Sequence, residues 1–118
     1  MFKVIIAGGR DFNNYGLLKE KCLYLLQNKF AEGITIISGH ARGADMVGEQ
    51  FAKEFNLNLE IFPADWETNG KSAGYIRNAE MLKHADAVIC FWDGKSKGTK
   101  HMIDITKKEN KPLKVIKY

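Results

Sequence analysis

The chain is poor in cysteine, has no long apolar run, and lacks the best-known catalytic and cofactor signatures. Its two cysteines, Cys22 and Cys90, are far apart in sequence. Cys90 lies in an apolar run and Cys22 in a helical pattern, so both read as buried free thiols and a disulfide scaffold is excluded. No segment approaches the roughly 20 apolar residues of a membrane helix, and the N-terminus enters a strand pattern with no cleavable apolar region. A cytoplasmic protein with no membrane partner is therefore expected. His40, His84 and His101 show neither HExxH nor Cys/His ligand spacing, which argues against a metal site. No GxSxG elbow is present, Gly70-Lys71-Ser72 lacks the glycine five residues earlier that a Walker A loop needs, and Gly8-Gly9 does not extend to GxGxxG. A standard dinucleotide dehydrogenase is disfavoured, and no cofactor is called for.

What the chain does have is a core. At 118 residues and 45% hydrophobic content it fits one domain that folds without staples. Five short runs rich in β-branched and aromatic residues predict strands over 2–7, 34–38, 57–62, 87–92 and 113–116. Most are continuous rather than alternating, as in a parallel sheet covered on both faces. Between them, helical spacing links Leu18, Cys22 and Leu25; Ala44, Val47, Phe51 and Phe55; Ile76 and Ala79 with Met81 or Leu82; and Met102 with Ile105. Strict alternation of strand and helix with right-handed crossovers predicts a Rossmann-like, doubly wound α/β fold, a parallel five-stranded sheet of order 3-2-1-4-5 with helices on both faces. There is no internal repeat, low-complexity tract or linker. The only longer irregular stretch, 63–74, reads as an ordered functional loop.

The net charge of +4 is uneven: from Asp93 onward, eight lysines face Asp93, Asp104 and Glu109. Such a tail is either a solvated surface or a patch that attracts phosphate or nucleic acid.

In an open parallel sheet, ligands bind beyond the carboxyl ends of the strands where the strand order reverses, here between the first and fourth strands. Four loops reach that edge. The first carries Gly8, Gly9 and Arg10: a tight turn with a cationic fork. The second, Ser38-Gly39-His40-Ala41-Arg42-Gly43-Ala44-Asp45, opens a helix whose free amides favour an anion; Asp45 either caps that helix or faces the ligand. The third brings Trp66, which can stack on a base, together with Lys71, Arg77 and Asn78. The fourth brings Asp93, Gly94, Ser96, Gly98 and Thr99, a phosphate-type turn opposite the first. Each loop alone is weak evidence; four at one sheet edge, each pairing glycine with a polar or cationic partner, form a specific signal.

Taken together, GGRDF, SGHARGAD, PADW, GKSAGYIRNAEM and ADAVICFWDGKSKGT resemble the SLOG superfamily, in particular its small stand-alone YspA-like branch, over Val4 to Thr99. The resemblance implies a Rossmann-like fold with a ligand crevice above the sheet. It also implies kinship with cytokinin-activating phosphoribohydrolases, with the DNA-loading DNA processing protein A, and with sensors of nucleotide-derived signals. It gives binding roles to Gly8, Gly9, Arg10, Ser38, Gly39, Gly43, Asp45, Arg77, Asn78, Asp93, Gly98 and Thr99. The phosphoribohydrolases carry PGGxGTxxE, whose glutamate works with an arginine of the preceding helix. Arg77 resembles that arginine, but Asp93-Gly94 stands where Pro-Gly-Gly is expected and Met102 stands at the glutamate position. Methionine cannot transfer a proton, and Asp104, roughly 200° further around a helix, is no substitute.

Three functional classes follow. The first is a binding module, a sensor, carrier or sequestering protein for a phosphate-bearing, nucleotide-derived small molecule. The second is an enzyme cleaving the N-glycosidic bond of a nucleoside monophosphate with Asp45 or Asp93 as the carboxylate. The third is a single-strand nucleic-acid binder that uses the lysine tail and stacks bases on Trp66 or Trp92. The missing glutamate and a basic bias too modest for strong backbone binding favour the first and make nucleic acid a weak partner. A homodimer is common among related proteins, but no sequence feature demonstrates one.

Overall fold

The computed structural model describes all 118 residues. Five strands, β1 (Phe2–Gly8), β2 (Ile34–Ser38), β3 (Asn58–Ile61), β4 (Ala87–Trp92) and β5 (Leu113–Lys117), form one sheet of order β3-β2-β1-β4-β5. Every pairing is parallel. The helices are α1 (Tyr15–Leu26), α2 (Ala44–Glu54), the short α3 (Trp66–Asn69), α4 (Ala73–His84) and α5 (Lys97–Lys108), with single 3₁₀ turns at Phe30–Glu32 and Gly70–Ser72.

The continuous apolar run of β1 has the reason given from the sequence. Successive side chains point to opposite faces, and both faces are covered. Val4 and Ile6 pack with Leu18, Cys22 and Leu26 of α1 and Phe51 of α2, while Ile5 and Ala7 pack with Met81 and Leu82 of α4 and Met102 and Ile103 of α5. Val4, Ile5 and Ile6 are completely buried. Cys22 and Cys90 are buried free thiols, pushed up to about 12 by burial. No helix is long and apolar enough to cross a membrane.

Two expectations are corrected. The stretch 63–74 is not irregular: Asp65 caps α3, accepting the Thr68 amide at 3.1 Å, and the 3₁₀ turn leads straight into α4. The inner face of α4 is also not the Ile76–Ala79 stripe. Ile76 is 49% exposed and Ala79 is exposed; Met81 and Leu82 are buried as expected, and Ala73 and Asn78 join them. Polar Arg77 and Asn78 take inward positions because each has a backbone carbonyl to bond across the cleft, so counting apolar residues picks the wrong side.

Candidate functional site

The carboxyl ends of β1 and β4 lie at the reversal of strand order, and the loops leaving them are fixed by backbone contacts. The Gly9 amide donates to the Phe91 carbonyl at 3.1 Å, and the Gly9 carbonyl accepts the Ala44 amide at 3.1 Å. Gly43 has φ +92°, and a Cβ there would sit 2.6 Å from Arg10 Cα. Only glycine serves both demands. The first two loops therefore lie backbone against backbone and display Arg10 and Arg42, both exposed and neither in an ion pair.

Beneath the second loop sits a buried polar network. Asp45, in the first turn of α2, does not cap its helix; Gly43 holds the cap position, and Asp45 Oδ2 accepts the Ala41 amide at 3.1 Å. Burial pushes its carboxyl from 3.8 up to about 6, against the lowering influence of that amide and of the Arg77 guanidinium. Glu49, one turn later and also buried, accepts the Ser38 hydroxyl at 2.7 Å and pairs with His40 Nδ1 at 2.8 Å. The His40 amide donates to Ser38 Oγ at 3.0 Å, and this bonding holds His40 at φ 59°. Gly39 is confined as well, since a Cβ there would stand 2.8 Å from both Arg77 Cζ and Asp45 Oδ2.

The opposite wall comes from α4. Arg77 Nη1 donates to the Gly39 carbonyl at 2.6 Å and its Nε to Asn78 Oδ1 at 3.1 Å. Asn78 Nδ2 reaches the Gly98 carbonyl and His101 Nδ1, both at 3.2 Å, and Tyr75 stacks on the His101 ring at 4.3 Å. Burial draws the His101 imidazole below its ordinary value. Trp66 stands 52% exposed at the rim.

The fourth loop is an Asx turn. Asp93 Oδ1 accepts the Lys95 and Ser96 amides at 2.8 and 2.9 Å, with Gly94 at φ 86°. The Ser96 and Lys95 amide bonds hold the Asp93 carboxyl below the usual carboxylate range. Ser96 occupies the cap position of α5 but makes no side-chain cap bond; its hydroxyl meets Thr99 Oγ1 at 3.1 Å instead. The first amides of α5 therefore lack an intrahelical acceptor and face the crevice as partial positive charge.

Of the residues singled out from sequence, Gly8, Gly9, Arg10, Arg42, Asp45, Trp66, Lys71, Arg77, Asn78, Asp93, Ser96, Gly98 and Thr99 line one open cleft of about 550 Å³. Gly39 lines an adjoining cavity of about 390 Å³. Ser38, Gly43 and Gly94 line neither: the Ser38 hydroxyl is spent on Glu49, and the two glycines shape their turns from behind. Sequence reasoning missed Asp11, which is held by the Tyr118 hydroxyl at 2.7 Å, as well as Tyr75 and Lys97 in the lining. It also missed Glu49, whose signal was a second acid one helical turn after Asp45. Met102 is buried on the cleft floor, while Asp104 is exposed and bonded to Lys100 at 2.8 Å. The lysine-rich tail is dispersed. Lys111 bonds the Leu82 and Ala85 carbonyls at the end of α4, and Lys117 lies over the Trp92 ring.

Known proteins resemble this chain in sequence or in fold. The gene 61 protein of Mycobacterium phage D29 is 38% identical over 119 residues, covering 96% of this chain and 94% of that protein. Among solved structures, the structural-genomics target TM1055 superposes with a TM-score of 0.70 at 21% identity, covering 96% of this chain and 72% of that one. DNA processing protein A from Streptococcus pneumoniae gives 0.77 at 17% identity, with 98% of this chain and 50% of that one covered. The Helicobacter pylori DNA processing protein A, solved for its single-stranded DNA binding mode, gives 0.67 at 23% identity, covering 97% and 64%. At such identities the likeness to these structures is one of fold, and the chain spans about half to two thirds of the two DNA processing proteins. The model of the YspA, cpYpsA-related SLOG family matches residues 2–68, more than half of the chain, and together with the phage relative this places the chain in that family.

Proposed function

We propose that this protein is a binding module for a phosphate-bearing, nucleotide-derived small molecule, acting as a sensor, carrier or sequestering protein. One observation carries the proposal. Arg10, Arg42 and Arg77, none of them in an ion pair, converge with the free α5 amides on a single open cleft at the reversal of strand order. A phosphate beside the α5 amides is stabilised by the helix terminus, and the guanidinium groups supply bidentate, charge-assisted bonds. Trp66 offers an exposed ring at the rim on which a base stacks. The test is calorimetric titration with adenosine monophosphate, alongside mass spectrometry of any small molecule that co-purifies. No heat from any nucleotide, with nothing co-purifying, refutes the proposal.

A second reading, hydrolysis of an N-glycosidic bond, draws on Asp45. Of the two carboxylates considered from sequence, Asp93 is bonded to two amides of its own turn, whereas Asp45 lines the cleft beside Arg77 with its carboxyl raised to about 6. A carboxyl near neutrality in a cleft is suited to acid–base work. Against this reading, the buried thioether of Met102 occupies the place the resemblance assigns to the phosphoribohydrolase glutamate. Incubation with adenosine monophosphate and its N6-substituted analogues, followed by chromatography for free base, separates the two. Base release that is abolished by Asp45→Asn selects the enzyme.

A further inference from the structure

The adjoining cavity differs in chemistry from the main cleft. The main cleft mixes charges, with Asp11, Asp45 and Asp93 among its walls. The second cavity, about 390 Å³, contains Arg10, Arg42, Arg77 and His40 and no acidic residue. The three arginines and Trp66 belong to both cavities, so they form the partition between two contiguous spaces rather than the end of one. None of the three is in an ion pair; Arg77 is bonded to the neutral Gly39 carbonyl and Asn78 Oδ1, so an apolar occupant would desolvate three guanidinium groups without balancing their charge. His40 supports the same conclusion independently. Buried Glu49 accepts its Nδ1–H at 2.8 Å, which leaves Nε2 as the other ring nitrogen, and on the imidazolium that nitrogen donates to an anion.

We infer that the second cavity is an anion subsite and that the ligand is a nucleoside carrying two phosphates, one at the α5 amides and one against Arg42 and His40, with the sugar and base between them near Trp66. The inference rests on the binding reading above and narrows its ligand class from phosphate-bearing nucleotides in general to nucleosides carrying two separated phosphates.

The experiment is calorimetry of the intact protein with adenosine monophosphate, adenosine diphosphate and adenosine 3′,5′-bisphosphate. The bisphosphate, whose phosphates lie on either side of the ribose, is expected to bind at least about ten-fold more tightly than the monophosphate, the usual worth of one added charge-assisted contact, and more tightly than the diphosphate, whose two phosphates are contiguous. Ala64 lines only the second cavity, so Ala64→Glu places a carboxylate there and is expected to bring the ratio down towards one. His40→Asn, which tolerates the left-handed backbone, is expected to lower it as well. If the monophosphate and the bisphosphate bind alike, the second subsite is refuted while the binding reading stands. A preference that survives both substitutions puts the second phosphate elsewhere and also refutes it. Binding of none of the three compounds removes the reading and the inference together.

Discussion

Replacing Asp45 by asparagine should make the protein more stable at neutral pH, an unusual direction for a buried polar residue that lines a cleft. Asparagine keeps an oxygen for the Ala41 amide and removes only the charge. Burial raises the carboxyl from 3.8 to about 6, and because the group is almost wholly buried the shift needs little discount for screening. It corresponds to about 3 kcal/mol of disfavoured ionisation. The sign follows from proton counting. Between these two values the folded protein holds the proton while the unfolded chain has released it, so stability falls as pH rises through that window, and the full penalty is present above about 6. Asp45→Asn is therefore expected to exceed the parent by up to about 3 kcal/mol at pH 7.5, about 10 °C in Tm, with the two converging near pH 4. Thermal melts of both proteins at closely spaced pH values measure the difference directly, and subtraction removes the titration of other groups. An asparagine variant less stable than the parent at pH 7.5, by a margin that does not change with pH, would refute the reasoning. Asp45 would then be a strut whose geometry outweighs its charge. The predicted result means that an ionised carboxylate is retained at a cost in stability, as functional sites often require.

Arg42→Ala should weaken nucleotide binding about ten-fold or more with an unchanged melting temperature, because Arg42 is exposed and touches no acid. Arg77→Ala should lose binding and also lower stability by about 1–2 kcal/mol, since its bond to the Gly39 carbonyl is lost. Gly43→Ala and Gly98→Ala should part company in denaturant titrations. The first meets the Arg10 backbone at φ +92° and should cost about 3 kcal/mol or more. The second faces open space within a helix and should gain about 0.5–1 kcal/mol, yet reduce phosphate binding at the α5 amides. Single-stranded DNA should bind weakly and lose affinity steeply with salt in fluorescence titrations, because the tail lysines are scattered rather than aligned along one groove.

The sheet was legible because β1 obeys a single rule: Val4 to Ala7 are apolar without alternation, which happens only when both faces are covered. The cleft was legible from glycine beside a polar or cationic residue at four strand ends. Where the pattern failed, hydrogen bonding had displaced hydrophobicity. On α4, Arg77 and Asn78 point inward to reach carbonyls 38 and 20 residues away. Such bonds leave no periodic trace, so Ile76 and Ala79 were misread as the buried side. The 63–74 stretch hid α3 because a four-residue helix stabilised by one capping aspartate has no room for an amphipathic period. Glu49 escaped because its spacing from Asp45 does not by itself show burial, and its partners Ser38 and His40 lie a full strand-to-helix loop earlier in the chain.

The Gly9 carbonyl bonded to the Ala44 amide, with Gly43 pressed against Arg10, welds the first and second loops into one mechanical unit seated on the sheet. Breathing of the cleft is then one-sided. The wall carrying Arg10 and Arg42 acts as an anvil, and any widening to admit or release the proposed ligand falls to the Trp66 segment and the Asx turn at Asp93, which are tied down by local bonds. Amide exchange should be slow in the first two loops and fast in the other two, with ligand slowing only the latter. Residence time would then be set by the Trp66 segment, and substitutions there would alter dissociation without disturbing the arginines that give the cleft its charge.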